Sequence, residues 1–285
     1  MATINILTTL DENYLTQMKV MLLSIKQTNA DDTFDIWLAH HSISDAHGEQ
    51  LGEFVRKLGY ELHMIRVDID VWSSAPTLKQ YPAEMYFRLL CGEYLPKTLT
   101  RILYLDPDIL VINPIKPLWT LDMKDNMIAA ASHNGLTGVS QTINNVRFQN
   151  KNAYFNSGVM LMDLTKMREK VKLNDIISVI KRHAKRLILP DQDILNYLYS
   201  DHILSIPEEI WNYDTRDNMV HFTKSFGNID LSWVIENTVI LHFCGHPKPW
   251  EKRSLNRFAI LYQHYEQLLR LSLIHISEPT RHAQI

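Results

Sequence analysis

Asn5-Ile6-Leu7-Thr8-Thr9-Leu10 is a short apolar run, and a helix-periodic stretch from Tyr14 to Gln27 follows it directly. In that stretch Leu15, Met18, Leu22 and Ile25 recur at three- and four-residue spacing, which lays one apolar stripe along a helix. Phe34 to His40 reads as a second strand. Ser44 caps a helix running to about Leu58, Gly59 is placed to end it, and Glu61 to Val67 reads as a third strand. This order predicts parallel strands joined by right-handed crossovers, in a sheet covered by helices on both faces. The turn Thr8-Thr9-Leu10-Asp11-Glu12-Asn13 holds no GxGxxG, so the dinucleotide fingerprint is excluded.

Outward from this start, a helix is expected over Glu84 to Leu95. Strands are expected at Arg101 to Leu105, Ile109 to Ile112, Met127 to Ala131, Gly158 to Met162 and Val239 to Phe243. Helices are expected around Thr165 to Leu187, at Asp191 to Tyr199 and from about Leu255 to Leu271. The polar stretch Ser132 to Ala153 lacks periodicity and reads as a long loop, a length that is usually functional or mobile. With 285 residues and 46% hydrophobic content the chain can fill one large α/β domain, here taken as residues 1–271. Ser272 to His282 fits nothing before it, so 272–285 is expected to be a non-native or disordered tail; its native reading is an interfacial membrane anchor.

Net charge is −3, which argues against a protein that clamps nucleic acid by neutralising phosphates. Cys91 and Cys244 form no CxxC pair, so neither a disulfide framework nor a thiolate zinc site is expected. The start lacks a basic n-region, and no apolar run reaches the roughly 18 residues that span a bilayer. A cytoplasmic enzyme is expected, with peripheral contact at the inner face of the membrane left open.

Chemistry concentrates first in Leu103-Tyr104-Leu105-Asp106-Pro107-Asp108. Residues two apart in extended chain project to one side, so both carboxylates can face one point at the end of a strand, where open α/β sheets bind ligands. Two hard oxygen donors there suit Mg²⁺ or Mn²⁺ shared with a phosphate. The alternative is plain turn chemistry. As a metal ligand, Asp108 is expected to be an exposed strand-end carboxylate that adds little to the core, so that Asp108→Asn would leave the fold intact. In Val239-Ile240-Leu241-His242-Phe243-Cys244-Gly245-His246-Pro247-Lys248, His242 can be a third metal ligand or a hydrogen-bonded core histidine. Gly245 permits close backbone approach and Lys248 offers a point charge to phosphate. Asp11, Asn13 and Tyr14 can stack on a base and read its polar edge, or cap a helix. Arg88, among apolar neighbours, needs a carboxylate or phosphate partner. Phe155-Asn156-Ser157-Gly158 and Leu189-Pro190-Asp191-Gln192-Asp193 can hold a polyhydroxylated ring, or turn and cap.

Taken together, the motifs from Asp11 to Lys248 resemble the retaining glycosyltransferases of family 8, which include bacterial lipooligosaccharide galactosyltransferases and the glycogenins. The resemblance spans about residues 3 to 255. It implies a GT-A fold, Rossmann-like, with a mixed central sheet flanked by helices. It also implies a UDP-linked sugar donor and Mn²⁺, with Mg²⁺ as the alternative ion, and a glycan, glycolipid or polysaccharide acceptor. By resemblance, Asp106, Pro107 and Asp108 carry the metal motif and His242 completes its ligand set. Asp11, Asn13 and Tyr14 would hold uracil and ribose beside the Thr8-Thr9 backbone. Arg88, Asn156, Ser157, Asp191 and Gln192 would meet the donor sugar, and Gly245 and Lys248 the diphosphate. Gln192 and Asp193 are the candidate nucleophiles of a double displacement; same-face attack needs neither. Ser132-His133-Asn134 stands where many relatives place an aspartate that recognises the donor sugar, which leaves glucose, galactose or another hexose open. Two rival readings are a sugar-nucleotide pyrophosphorylase, which would carry a glycine-rich basic loop after the first strand, and a non-catalytic nucleotide-sugar or glycan-binding module.

Overall fold

The computed structural model describes residues 3–70, 83–132, 153–183, 187–252 and 254–277. Strands β1 (Ile4–Thr9), β2 (Phe34–His40) and β3 (Glu61–Arg66) pair in parallel, as the alternating start of the chain predicts. They are linked by α1 (Leu15–Thr28) and α2 (Asp45–Lys57). Ser44 does cap α2, accepting from the His47 N–H, and Gly59 follows it at φ +81°. β4 (Arg101–Leu105) then pairs in parallel with the other side of β1. Chain order therefore reverses between β1 and β4, the kind of switch point at which such sheets open a crevice.

The next strand, β5 (Ile109–Val111), leaves this sheet. β6 (Ile128–Ser132), β7 (Phe155–Asp163) and β8 (Ile203–Ile206) complete a seven-stranded sheet of order β3-β2-β1-β4-β7-β6-β8. It is mixed, because β7 runs antiparallel to both β4 and β6. β9 (Tyr213–Asp214) and β10 (Ile240–His242) join β5 in a separate three-stranded sheet of order β5-β10-β9. The strand expected at Val239 to Phe243 is thus present as Ile240–His242, but it belongs to this second sheet.

Burial alternates along the central strands. Ile6, Leu103, Leu105, Val159 and Leu161 enter one apolar layer, while Leu7, Ile102, Tyr104, Met160 and Met162 enter the other. A one-residue slip would exchange the two sets, so packing on both faces fixes the register. Met18, Leu22 and Ile25 of α1 fill the first layer, as their spacing predicts, joined by Met21, while Leu15 is only partly buried against it. The same helix anchors β5, since Ser24 Oγ accepts from the Val111 N–H at 3.0 Å and Asn29 Oδ1 from the Ile115 N–H at 2.8 Å.

Several bounds differ from expectation. Residues Ala83–Leu90 form a 3-10 helix, and only the single turn α3 (Cys91–Tyr94) behind it is α-helical. A further turn, α4 (Lys116–Trp119), follows β5. Two helices, α5 (Leu164–Lys170) and α6 (Leu173–His183), stand where helix is expected around 165–187, of which 184–186 lie outside the described residues. α7 (Pro190–Tyr199) matches. β7 begins at Phe155, three residues earlier than expected, so Asn156 and Ser157 are strand residues rather than a turn. After α8 (Glu208–Trp211), α9 (Asn218–Lys224) and α10 (Leu231–Asn237), the last helix α11 spans Ala259–Ser277 and packs on α1, crossing the boundary set after Leu271. The expected loop Ser132 to Ala153 lies outside the described residues except for its two ends. Among the described residues no helix is long and apolar enough to cross a membrane.

Candidate active site

Asp106 and Asp108 sit where the chain passes from one sheet to the other. The Asp106 N–H donates to Gly158 O at 2.8 Å, which ties this residue to β7 of the large sheet. The Asp108 carbonyl accepts from the Phe243 N–H at 3.0 Å, which ties that residue to the chain leaving β10. The two side chains converge through a turn after β4, not through extended chain as the sequence implies. Asp108 is also buried, 8% exposed, rather than an exposed strand-end group.

His242 ends β10 opposite Ile109 of β5, which brings its ring to the same turn. One carboxylate oxygen each from Asp106 and Asp108 and a ring nitrogen of His242 all lie within 4.8 Å of one another. His242 Nε2 is 3.4 Å from Asp108 Oδ1 and 3.9 Å from Asp106 Oδ2. Its Nδ1 lies 2.8 Å from Asn212 Oδ1, so Nδ1–H donates there and Nε2 faces the carboxylates. Asn212 Nδ2 in turn donates to Asn156 Oδ1 at 2.9 Å, and Gly158 N–H donates to the same oxygen at 2.7 Å. A ring whose second nitrogen is fixed in this way is the usual support for a metal-binding histidine. Gly158 leaves the room: a Cβ there would overlap the His242 ring and lie 2.7 Å from Asp106 Oδ2. Two hard oxygens and an imidazole converging in a cradle that a methyl group would fill suit Mn²⁺ or Mg²⁺.

Cations brace the carboxylates. Arg88 takes carboxylates as its partners: Nη1 lies 2.9 Å from Asp106 Oδ1 and Nε 3.3 Å from Asp191 Oδ2. The Tyr104 hydroxyl donates to Asp106 Oδ1 at 2.6 Å and is 3.1 Å from Thr9 Oγ1. Lys248 makes a close ion pair with Asp108 and donates to Phe243 O at 2.9 Å. Burial pushes the Asp108 carboxyl up, but Lys248 and His242 outweigh it and hold the group well below the ordinary carboxylate range. Burial opposes the charge on Lys248 as well, and Asp108 reverses that, leaving the ammonium harder to deprotonate than usual.

One cleft is lined by Thr9, Asp11, Tyr14 and Arg88 at one side and by Asp106, Pro107, Asp108, His242, Gly245 and Lys248 along its floor. Asn156, Ser157, Asp191 and Gln192 close it from β7 and α7. Gln192 Oε1 accepts from the Ser157 N–H at 3.2 Å, while its Nε2 is buried with no hydrogen-bond partner among the described residues. Asp191 receives Ser157 Oγ at 3.1 Å; burial raises its pKa, and Arg88 opposes the rise. Tyr14 meets Trp250 edge-on at 6.1 Å, and Trp250 packs on Tyr262, so an aromatic wall stands beside Lys248.

Three expected residues are placed elsewhere. Thr8 is fully buried and does not line the cleft. Asn13 is exposed and bonds back to Asp11, whose two oxygens accept its N–H and its Nδ2–H at 2.9 Å each, so Asp11 caps the turn that follows β1. Asp193 is wholly buried away from the cleft; it accepts from Tyr154 OH at 2.6 Å, Ile188 N–H at 2.7 Å and Leu189 N–H at 3.1 Å. Glu84, Asn212 and Arg216 enter the arrangement without having been singled out, and Gly158, expected only within a sugar-holding or turning run, enters it as the space beside His242. Arg216 lines the cleft and is gripped by buried Asp214, with Nη2 at 2.6 Å from Oδ2. Its guanidinium covers Gly245, which holds φ +66°. Only the parallel pairing of β9 with β10, which sets Asp214 opposite His242, reveals that link.

General stress protein A of Bacillus subtilis is 27% identical over 262 residues, covering 90% of each chain. A lipopolysaccharide 1,2-glucosyltransferase of Escherichia coli is 27% identical over 254 residues, covering 87% of this chain and 73% of its own. Among solved structures, the galactosyltransferase LgtC in complex with donor and acceptor sugar analogues superposes with a TM-score of 0.78, covering 93% of this chain and 96% of that one. At 23% identity this likeness is one of fold, and the fold is GT-A. The family profile of glycosyl transferase family 8 matches residues 5–254, a span that takes in both carboxylates, His242 and Lys248. The chain belongs to glycosyl transferase family 8.

Proposed function

We propose that this protein is a retaining hexosyltransferase that moves glucose or galactose from a UDP-sugar to a glycan, glycolipid or other cell-surface polysaccharide acceptor, in the cytoplasm or at the inner face of the membrane. The observation that carries the reading is the convergence of Asp106, Asp108 and His242 beside Lys248, in a cleft that Gln192 also lines. Asp106, Asp108 and His242 would hold Mn²⁺, or Mg²⁺ in its place. The ion would supply positive charge where the departing diphosphate gathers negative charge. Lys248, aimed from the other side of Asp108, would add its own charge at the same leaving group, and Gly245 would let the backbone approach it. Asp191 and Gln192 would hold the sugar hydroxyls.

Same-face attack is the favoured course. Gln192 is an amide with its oxygen already engaged, Asp191 is paired with Arg88, and the Asp193 oxygens are taken up by backbone and Tyr154. None presents the unencumbered nucleophile that a double displacement requires. The acceptor hydroxyl would then lose its proton to the departing phosphate oxygen as the new bond forms.

UDP release from a panel of UDP-sugars, with Mn²⁺, Mg²⁺ or chelator, tests the proposal. Release from UDP-glucose or UDP-galactose that disappears with chelator is expected. Failure of every UDP-sugar to react or bind, or turnover indifferent to divalent ions, would overturn it.

A further inference from the structure

Asn212 closes the single turn of α8, its N–H donating to Glu208 O at 3.1 Å, and the next residue enters β9 beside β10. It is 3% exposed and lies between two other buried side chains, Asn156 of β7 and His242 of β10. An amide can stand either way round, and a neutral imidazole can carry its proton on either nitrogen. Here a backbone group decides both. The Gly158 N–H can only donate, so the Asn156 atom 2.7 Å from it is the carbonyl oxygen. The Asn212 atom 2.9 Å from that same oxygen must then be the amide nitrogen. Its other end is an oxygen, 2.8 Å from His242 Nδ1, so Nδ1 is obliged to carry a proton. Nε2, which faces Asp106 and Asp108, is left as the ring atom that can give a lone pair to an ion.

We propose that Asn212 is a positioning residue for the metal: anchored by Asn156, it holds His242 with Nδ1 protonated and Nε2 turned to the ion, and so sets the ion's affinity without touching it. The proposal rests on the metal-ion part of the reading above. It assigns the Asn156 oxygen to the support of that ring, where the sequence alone gives the residue to the donor sugar.

The hydrogen-bonded path also joins the two sheets. Asn156 and Gly158 belong to the seven-stranded sheet and His242 to the three-stranded one, so the Asn212 amide spans the gap between them. Its two ends carry different duties. The nitrogen end binds the large sheet and serves stability, whereas the oxygen end binds the imidazole and serves the ion. A substitution that spares one end and spoils the other therefore separates the two effects.

The experiment compares two variants of the full chain with the parent. Asn212→Leu keeps the branched shape and removes both hydrogen bonds, while Asn212→Asp keeps an acceptor for Nδ1–H and loses the donor to Asn156. Mn²⁺ affinity is read from the electron paramagnetic resonance signal of the free ion, and melting midpoints are taken without ion. The ring is read from long-range ¹H–¹⁵N spectra of histidine-labelled protein holding diamagnetic Mg²⁺, with His242 identified by its loss in His242→Gln. The parent should show the proton on Nδ1. Asn212→Leu should bind Mn²⁺ roughly tenfold to a hundredfold more weakly and move the proton toward Nε2. Asn212→Asp should keep the parent's ring and most of its affinity at a lowered midpoint, because its second oxygen faces that of Asn156. Unchanged affinity with an unchanged ring in Asn212→Leu overturns the proposal. So does affinity that merely follows the midpoint across both variants, because that outcome marks packing alone. If Asn212→Leu does not fold, Asn212→Asp decides: the parent's ring in it upholds the proposal and an Nε2-protonated ring defeats it. All of these leave the metal reading standing, whereas failure of the parent to bind Mn²⁺ removes both.

Discussion

Asp108 is caught between a lysine and a histidine, and its burial changes what its replacement should do. Asp108→Asn should abolish UDP release from UDP-sugars, and it should also leave Lys248 short of its counter-charge inside the protein. A stability loss on the order of 1–3 kcal/mol is expected, read from denaturant unfolding; full turnover in that variant would refute the metal assignment. Gly158→Ala tests the same spot from its other side. The added methyl group must push His242 and Asp106 apart, and displacements near 1 Å at a reacting centre can cost about 100-fold. We expect a loss of that order in kcat/KM, with metal affinity falling in parallel. The Asp106 and Asp108 pair was legible in the sequence because both acids lie at the end of one apolar strand, and Arg88 because a guanidinium among apolar neighbours must find an anion. Asn212, Glu84 and the space that Gly158 leaves for His242 were not. Their roles depend on which residues meet them from segments tens of positions away, and no local pattern carries that.

Among the elements, α7 shows how a buried acid can serve a site without touching it. Asp193 binds the N–H groups of Ile188 and Leu189 and the hydroxyl of Tyr154, fixing the chain that enters the helix. Asp191 and Gln192 ride on that first turn. Asp193→Asn keeps an acceptor for the backbone, so it should retain measurable turnover with a melting midpoint lowered by a few degrees. A nucleophilic Asp193 would instead lose all activity on that change, and intact-mass measurement during turnover of the parent would show a sugar adduct. The element pattern was legible where apolar periodicity is strong, as in β1 to β3, α1 and α2. It was less so at Asn156-Ser157, where two polar residues hide the start of β7, and at 83–90, where a tight 3-10 coil shares its apolar spacing with an α-helix.

On the scale of the whole molecule, the parallel start and helical cover of the large sheet follow from strand–helix alternation. The existence of a second sheet does not, because periodicity identifies a strand without naming its neighbours. The site draws Asp106 from the large sheet and Asp108 and His242 from the small one, so a bound ion should raise the melting midpoint. At 100 times the dissociation constant a ligand adds about 2.7 kcal/mol. For a chain of this size that is a rise of roughly 5–10 °C with Mn²⁺, reversed by chelator and measured by scanning fluorimetry; no shift at saturating Mn²⁺ would count against the site. The three-residue passage from β4 to β5 has one more consequence. An ion held there acts as a rivet across two separately hydrogen-bonded bodies, and local opening of the smaller one must first release it. Amide exchange at Ile240 to His242 should then slow markedly when Mn²⁺ is added, while exchange in β2, on the far flank, stays as it was.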